Sequence, residues 1–507
     1  MKLQLPIICT TILLLPFSTS ARETIVNGTI GTGVDYWERT YDNDTEDTDS
    51  DNGDKRQIGI WPEIAITSLG IKDSLSFRYA PVFKYDDVTS STDIDHYLTL
   101  SGERLMTRNW SFSLADNFVL SDDPYFSSES FAEGSQTGTE DTEAEEVTTT
   151  VTQEQQTTSL TGDELSKDAG RQRYWTNALS ASTNYTFSET GSLGGGYTYK
   201  VLRNDSDSDD YDEYDKHSFF ANVAYWFSQS WQTSLGVNYI RGLYDEDEEA
   251  SLVEISTSTT AETETLEQLD NLSDDFDEYG ADLRVDYIHS TSDSIPFVYD
   301  FTGTKYDEEL RQDNYAHNLS IGWDHAFDSR TRLIVGGGPS YADAEGVQGE
   351  WDYNLYLNFT REYEHATFAL LLDKRYDTQN FTGSNDSGLK DTYNAKATYN
   401  YQHTQNLSFD VYGAYRWESN YTPRGEYLVA AVAEEGLPQT DDASIGDLTY
   451  EKNIYEAGAG LSYSFMRYFN TSLRYTYYVS DGELDSDQYS DHRFMFTLTA
   501  SNDLWKW

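Results

Sequence analysis

The 507 residues carry 89 Asp and Glu against 34 Lys and Arg, and a net charge of −55 excludes nucleic acid as a partner. That charge and a mean hydropathy of −0.67 would fit a disordered acidic chain. Forty Tyr and 11 Trp exclude disorder over the whole length, because such chains are poor in aromatic residues.

At the N-terminus, Lys2, the apolar run Leu3 to Phe17 and the small residues Thr19-Ser20-Ala21 predict a secretory signal peptide over residues 1–21, cleaved before Arg22. Cys9 is the only cysteine and lies inside it, so the processed chain is expected to have no thiol, which excludes disulfides and Cys-ligated metal. No later segment approaches the ~18 apolar residues of a spanning helix.

From there the hydrophobic period is two. Ser218 to Tyr239 is representative: Phe219, Ala221, Val223, Tyr225 and Phe227 share one face, the turn Ser228-Gln229-Ser230 follows, and Trp231, Thr233, Leu235, Val237 and Tyr239 repeat the pattern. Ile30 to Tyr36 opens the series; Ile58 to Ile66 joins Leu75 to Tyr85 around Gly70, and His96 to Gly102 joins Trp110 to Leu120 around Arg108. A Ser, Thr, Glu and Gln-rich insertion over residues 121–170 then reads as a solvated external loop. After it come Trp175 to Phe187 with Leu193 to Leu202, then Tyr279 to Tyr287 with Ile295 to Tyr306, and Asn318 to Phe327 with Leu333 to Tyr341. Trp351 to Phe359 with Ala366 to Leu372, Tyr393 to Tyr401 with Leu407 to Trp417, Tyr455 to Phe465 with Phe469 to Val479, and Arg493 to Ala500 complete it.

Short turns alternate with long acidic loops, and strands are apolar on one face only. This pattern predicts an all-β protein: a transmembrane antiparallel up-and-down β-barrel of 16–20 strands of ~9 to 11 residues, filling residues 22–507 with no plug left over. The short turns, such as Ser188 to Gly191 and Asp328 to Thr331, belong on the periplasmic side of a bacterial outer membrane. The acidic loops Asp42 to Asp54, Glu140 to Glu146, Asp205 to Asp215, Asp245 to Glu249, Asp270 to Glu278 and Asp481 to Asp487 then face outside, where their field attracts cations. Trp507 resembles the C-terminal aromatic signal read by the outer-membrane assembly machinery. Outer-membrane lipid and lipopolysaccharide are the expected surroundings.

The face opposite the apolar one supplies the candidate pore lining: Arg78, Asp282, Arg284, Asp286, Asp300, Asp324, Asp373, Arg375, Lys396, Asp410, Arg416, Glu456 and Arg474. A hydrated mixed-charge interior suits a water-filled passage. The same residues also suit a barrel braced across neighbouring strands or plugged by a loop. Asp205, Asp207, Asp209 and Asp210 are spaced closely enough for Ca²⁺, but the run lacks the glycine and distal glutamate of an EF-hand loop, so a solvated charge run stands beside that reading. Eight histidines are dispersed along the chain and no Ser, His and Asp signature is visible, so no metal site and no enzyme are expected.

Tyr197-Thr198-Tyr199, followed by an acidic loop, His217 to Phe227 and Ser234 to Tyr239, resemble the outer-membrane β-barrel porins found beside exopolysaccharide synthesis and export genes. The resemblance covers mainly Trp175 to Tyr239. It implies a channel for passive diffusion or export of hydrophilic solutes that assists polysaccharide passage, and it brings no catalytic residues. The alternative is a non-conducting surface barrel whose acidic loops serve adhesion or calcium-mediated contact.

Overall fold

The computed structural model describes residues 22–41, 54–124, 165, 167, 170–205, 211–244, 275–307, 312–344, 347–383, 388–421, 450–483 and 487–507. The signal-peptide segment, most of the insertion 121–170 and most of the acidic loops lie outside them, as do Asp207, Asp209 and Asp210.

Twenty strands follow in chain order. They begin with β1 (Glu23–Tyr41), β2 (Lys55–Leu69), β3 (Asp73–Asp86), β4 (Ser91–Thr107), β5 (Trp110–Ser121), β6 (Tyr174–Ser188) and β7 (Gly191–Asn204). Next are β8 (Tyr214–Ser228), β9 (Trp231–Tyr244), β10 (Phe276–Ile288), β11 (Asp293–Tyr306), β12 (Asn314–Asp328), β13 (Thr331–Ala344) and β14 (Val347–Glu362). The remainder are β15 (Ala366–Gln379), β16 (Gly388–Thr404), β17 (Leu407–Asn420), β18 (Tyr450–Phe465), β19 (Phe469–Gly482) and β20 (Tyr489–Lys506). Each pairs antiparallel with its chain neighbours, and β1 pairs with β20 from Ile25↔Lys506 to Tyr41↔Tyr489, so the sheet closes on itself. Closure removes every free edge along that seam, which is what allows strands to cross a membrane.

Strand parity sets the two faces. In β10, Tyr279 and Leu283 are exposed on the outside while Asp282, Arg284 and Asp286 point in; in β12, Leu319, Ile321 and Trp323 face out and Asp324 in. The strands run 12 to 19 residues, longer than expected. Their loop-side ends carry polar and charged residues past the apolar belt, so an estimate from the apolar alternation stops short of them.

The last strand contains one irregularity. Val26 pairs with Trp505 and Asn27 with Asp503, leaving Leu504 bulged between them. This bulge lets two consecutive apolar residues, Leu504 and Trp505, both face outward, which is why the terminal segment breaks the alternation. Thr24 and Trp507 exchange backbone hydrogen bonds of 2.9 and 3.1 Å, so both ends of the described chain meet at the short-turn end.

The histidines, dispersed in sequence, gather at the two ends of the outer surface. Toward the loops, Tyr79–His96, Tyr197–His217, Tyr299–His317 and Tyr475–His492 form the same diagonal pair on four hairpins, with Tyr hydroxyl to Nδ1 distances of 2.8 to 3.0 Å. Toward the turns lie His289, His325, His365 and His403, among exposed Trp110, Phe187, Phe227 and Phe327. Amphipathic rings at both boundaries are the arrangement of aromatic girdles.

Candidate functional site

The interior is the site, and all thirteen charged candidates take inward strand positions. Several pair locally: Arg78 with Glu63 at 2.9 Å, Arg284 with Asp286 at 2.8 Å, and Arg332 with Asp324 at 2.8 Å. Asp282 stands directly opposite Asp300 in the β10–β11 register, while Arg375 lies 3.5 Å from Asp373 and 3.3 Å from Asp377. On the far wall Tyr412 donates to Glu456 at 2.7 Å, Lys396 stands 5.9 Å from the Tyr412 ring, and Arg474 is 3.6 Å from Asp410. Arg416 points inward beside Glu418. Opposite charges within a strand and on nearby strands thus brace much of the wall.

Two parts of the chain enter this space, contrary to the expectation that no plug is left over. One is the end of the long insertion, expected as a wholly external loop. Lys167 reaches Glu456 at 3.4 Å, and Arg39 donates to the Lys167 carbonyl at 2.8 Å. Arg171, 1% exposed, pairs with Asp35 at 2.9 Å and Asp122 at 3.3 Å and donates to Gln57 at 3.0 Å. Arg493 on β20 bridges Asp35 and Asp123, and Lys84 pairs with Asp95 and Asp122. The insertion enters because its two ends carry complementary charge, Asp122 and Asp123 on one and Arg171 on the other, and the inner wall supplies partners for both.

Outside the spanning strands, burial raises the Asp122 carboxyl, but Arg171, Lys84 and Lys55 outweigh it and hold that group well below the usual carboxylate range. Burial lowers the Arg171 guanidinium, and Asp122, Asp123 and Asp35 more than reverse the effect, raising it well above its ordinary value.

The second part is the top of the β15–β16 hairpin. Pairing of β14 with β15 stops at Leu355↔Lys374, whereas β15 stays paired with β16 to Gln379↔Gly388. Beyond Lys374, β15 leans across the inner wall: Asn318 donates to the Tyr376 carbonyl at 3.2 Å, and Thr378 and Asn380 donate to Glu278 on β10 at 3.3 and 3.1 Å. Tyr306 donates to Asn380 at 3.1 Å, and Tyr244 to the Asn380 carbonyl. Phe381 then seats between Tyr214 and Phe276, with ring centroids 5.1 and 5.2 Å away, and Lys216 lies 4.2 Å from its ring. Val119, Tyr174, Leu202, Tyr211, Ile240 and Tyr306 complete this inward apolar cluster, and Leu165 packs against it.

That cluster adds an apolar part to the mixed-charge interior expected from the sequence. Tyr214, Phe276 and Tyr306 share the strand parity of Lys216, Asp282 and Asp300, so their inward direction is encoded, but hydrophobicity alone assigns them to lipid. Below the two segments a cavity of about 1370 Å³ runs from the turn-side rim at His365 and Arg467, past Trp61, Lys396, Tyr412 and Arg474, to the cluster of Asp35, Arg171 and Arg493.

Asp205, a candidate calcium ligand, accepts from Arg173 at 2.6 Å; its three companions lie outside the described residues. Among the described residues no three His, Cys, Asp or Glu side chains are grouped to hold a metal ion.

No family model and no curated protein matches the sequence. Among solved structures, the chain is similar to OpdK of Pseudomonas aeruginosa, crystallised with vanillate, at 10% identity and a TM-score of 0.40, covering 94% of this chain and 99% of that one. It is also similar to the siderophore receptor PirA of Acinetobacter baumannii, at 10% identity and a TM-score of 0.44 with coverage of 93% and 80%. OccAB4 of the same organism gives 11% identity and a TM-score of 0.38 with coverage of 94% and 98%. At TM-scores this low the likeness carries no argument about what passes through this chain, and nothing in it links the chain to exopolysaccharide.

Proposed function

We propose that this chain is an outer-membrane channel through which small hydrophilic solutes pass along a narrowed, charge-lined lumen, without catalysis. The observation that carries this reading is the closed barrel, apolar outside between two aromatic boundaries, whose charged candidates take inward positions and five of which, Arg78, Lys396, Asp410, Glu456 and Arg474, line a cavity of about 1370 Å³ open at the turn-side rim. A signal peptide over residues 1–21 and recognition of Trp507 by the assembly machinery would deliver it there. The polysaccharide passage implied by the sequence resemblance stays outside the proposal.

The test is single-channel conductance of the refolded mature protein in a planar bilayer, with ion selectivity recorded with and without Ca²⁺. Expected are small, stable, cation-preferring steps, weakened by calcium as the acidic loops are screened. A folded, heat-modifiable barrel that never conducts would overturn the channel and favour the surface-display alternative.

A further inference from the structure

The ladder between β14 and β15 ends at Leu355↔Lys374, although both strands continue. Above that point, among the described residues, β14 is laddered with β13 alone, and its other edge, Gly349 to Asn354, forms no strand pair. Continuing the register would set Asn354 against Arg375, Tyr353 against Tyr376, Asp352 against Asp377 and Trp351 against Thr378. These are the β15 residues now lying over β10 to β12. An unpaired edge next to its own complement is a two-state element.

Side chains hold the fork open. Lys374 has the parity of the outer face, yet its ammonium passes through the gap to Asp352 and lies 3.0 Å from Asp391, among the rings of Tyr353, Tyr376 and Tyr393 at 4.9 to 5.3 Å. Tyr353 and Tyr393 touch hydroxyl to hydroxyl at 3.2 Å across the gap, and Tyr421 approaches Glu350 at 3.5 Å. Lys374 is therefore a wedge in the seam, and Phe381 is the far anchor in its aromatic seat.

We infer that the top of the β15–β16 hairpin is a gate with two positions: folded across the lumen, as described, and zipped onto the free edge of β14, which withdraws the hairpin from the lumen and leaves the insertion end in place. The two compete on comparable terms. Zipping restores backbone pairs along about five residues. It also gives up the Phe381 seat and the Glu278 and Asn380 bonds, and brings Asp352 against Asp377. The hairpin moves together with the top of β17, because the ladders run from Ala366↔Tyr401 to Gln379↔Gly388 and on across β16 to Lys390↔Asn420.

This inference rests on the channel reading for its consequence but not for its motion, and the test separates them. Trp351→Cys/Thr378→Cys places thiols opposite each other only in the zipped position. In the folded position Thr378 bonds Glu278, four strands away from β14, ~19 Å along the wall and far beyond disulfide reach. Under oxidation in native membranes the pair is expected to cross-link, and the locked barrel to conduct several-fold more than the reduced one. Phe381→Ala and Lys374→Met, added separately, are expected to raise the cross-linked fraction. A control pair on the formed ladder, Thr360→Cys/Ala369→Cys, reports that the barrel is folded and oxidation complete. If the control cross-links and the Trp351/Thr378 pair does not in any background, the second position is overturned. If the pair cross-links and conductance is unchanged between oxidised and reduced channels, the gate is overturned. In a barrel that never conducts, the cross-link still decides the motion, and the channel reading fails by itself.

Discussion

Arg171 shows how much one residue at the end of the insertion does inside the barrel. Its guanidinium answers Asp35, Asp122 and Gln57, and those acids are themselves buried or nearly so. Removing one partner of such a set leaves uncompensated buried charge, a loss of about 3–5 kcal/mol. Arg171→Ala is expected to release the insertion end, read as new trypsin cleavage after Lys167 and Arg173 in a barrel that still migrates as folded. The wild type is expected to resist cleavage after Arg171. Acid should act on the same cluster. The folded-state carboxyl of Asp122 lies below its unfolded value, so its contribution is fully present above ~pH 4 and is lost as pH falls through the depressed folded value. Trypsin resistance, assayed after an acid pulse and return to neutrality with protease present, is expected to survive pH 5 and to fail only well below pH 4. Close packing sets a second limit at this scale. A Cβ at Gly31 would lie 2.1 Å from the Trp61 indole, which rests flat against β1. Gly31→Ala is expected to push Trp61 toward the cavity at a cost of about 1–3 kcal/mol, seen as a lower unfolding temperature in heat-modifiability gels.

Between elements, ladder continuity decides what stays in the wall and what leaves it. Nineteen of the neighbouring strand pairs, including β1–β20, and the lower half of β14–β15 hold the wall as one sheet. β15 departs where Lys374 takes a lipid-face position that would leave an ammonium facing apolar surroundings, and Asp352 on the inward face of β14 together with Asp391 on β16 offers it an alternative. The tip then finds an apolar seat because Tyr214, Phe276 and Tyr306 occupy inward positions at the loop-side ends of β8, β10 and β11. Tyr214→Ala is expected to loosen that seat by about 2–4 kcal/mol and to increase the frequency of high-conductance events without lowering barrel assembly.

For the whole molecule, the acidic excess lies mostly in the loop sequences, and its effect on permeation is long-range. At 0.1 M salt the Debye length is ~10 Å and at 1 M ~3 Å, so a preference for cations produced at the mouth fades with salt, while one produced by close wall groups such as Asp282 and Asp300 persists. Reversal potentials measured in KCl gradients at low and high ionic strength are expected to show the preference falling by more than half at high salt. A preference unchanged by salt would place selectivity in the lumen.

The strand alternation in the sequence determined the fold class, the strand count at the top of its expected range, the ends at which turns and loops lie, and the inward direction of the charged candidates. A period of two on a membrane-facing sheet leaves no other solution that satisfies every backbone group. Only the tertiary structure decided what the interior does with those residues. Whether the inward Tyr214 meets water or seats Phe381, whether Arg171 is solvated or buried among acids, and where β15 leaves β14 all depend on partners tens to hundreds of residues away. Local periodicity holds no information about such contacts. The histidines make the same point: dispersed along the chain, they reach the two boundaries of the barrel because register, which is a property of strand pairs, brings equivalent positions of separate hairpins to equal height.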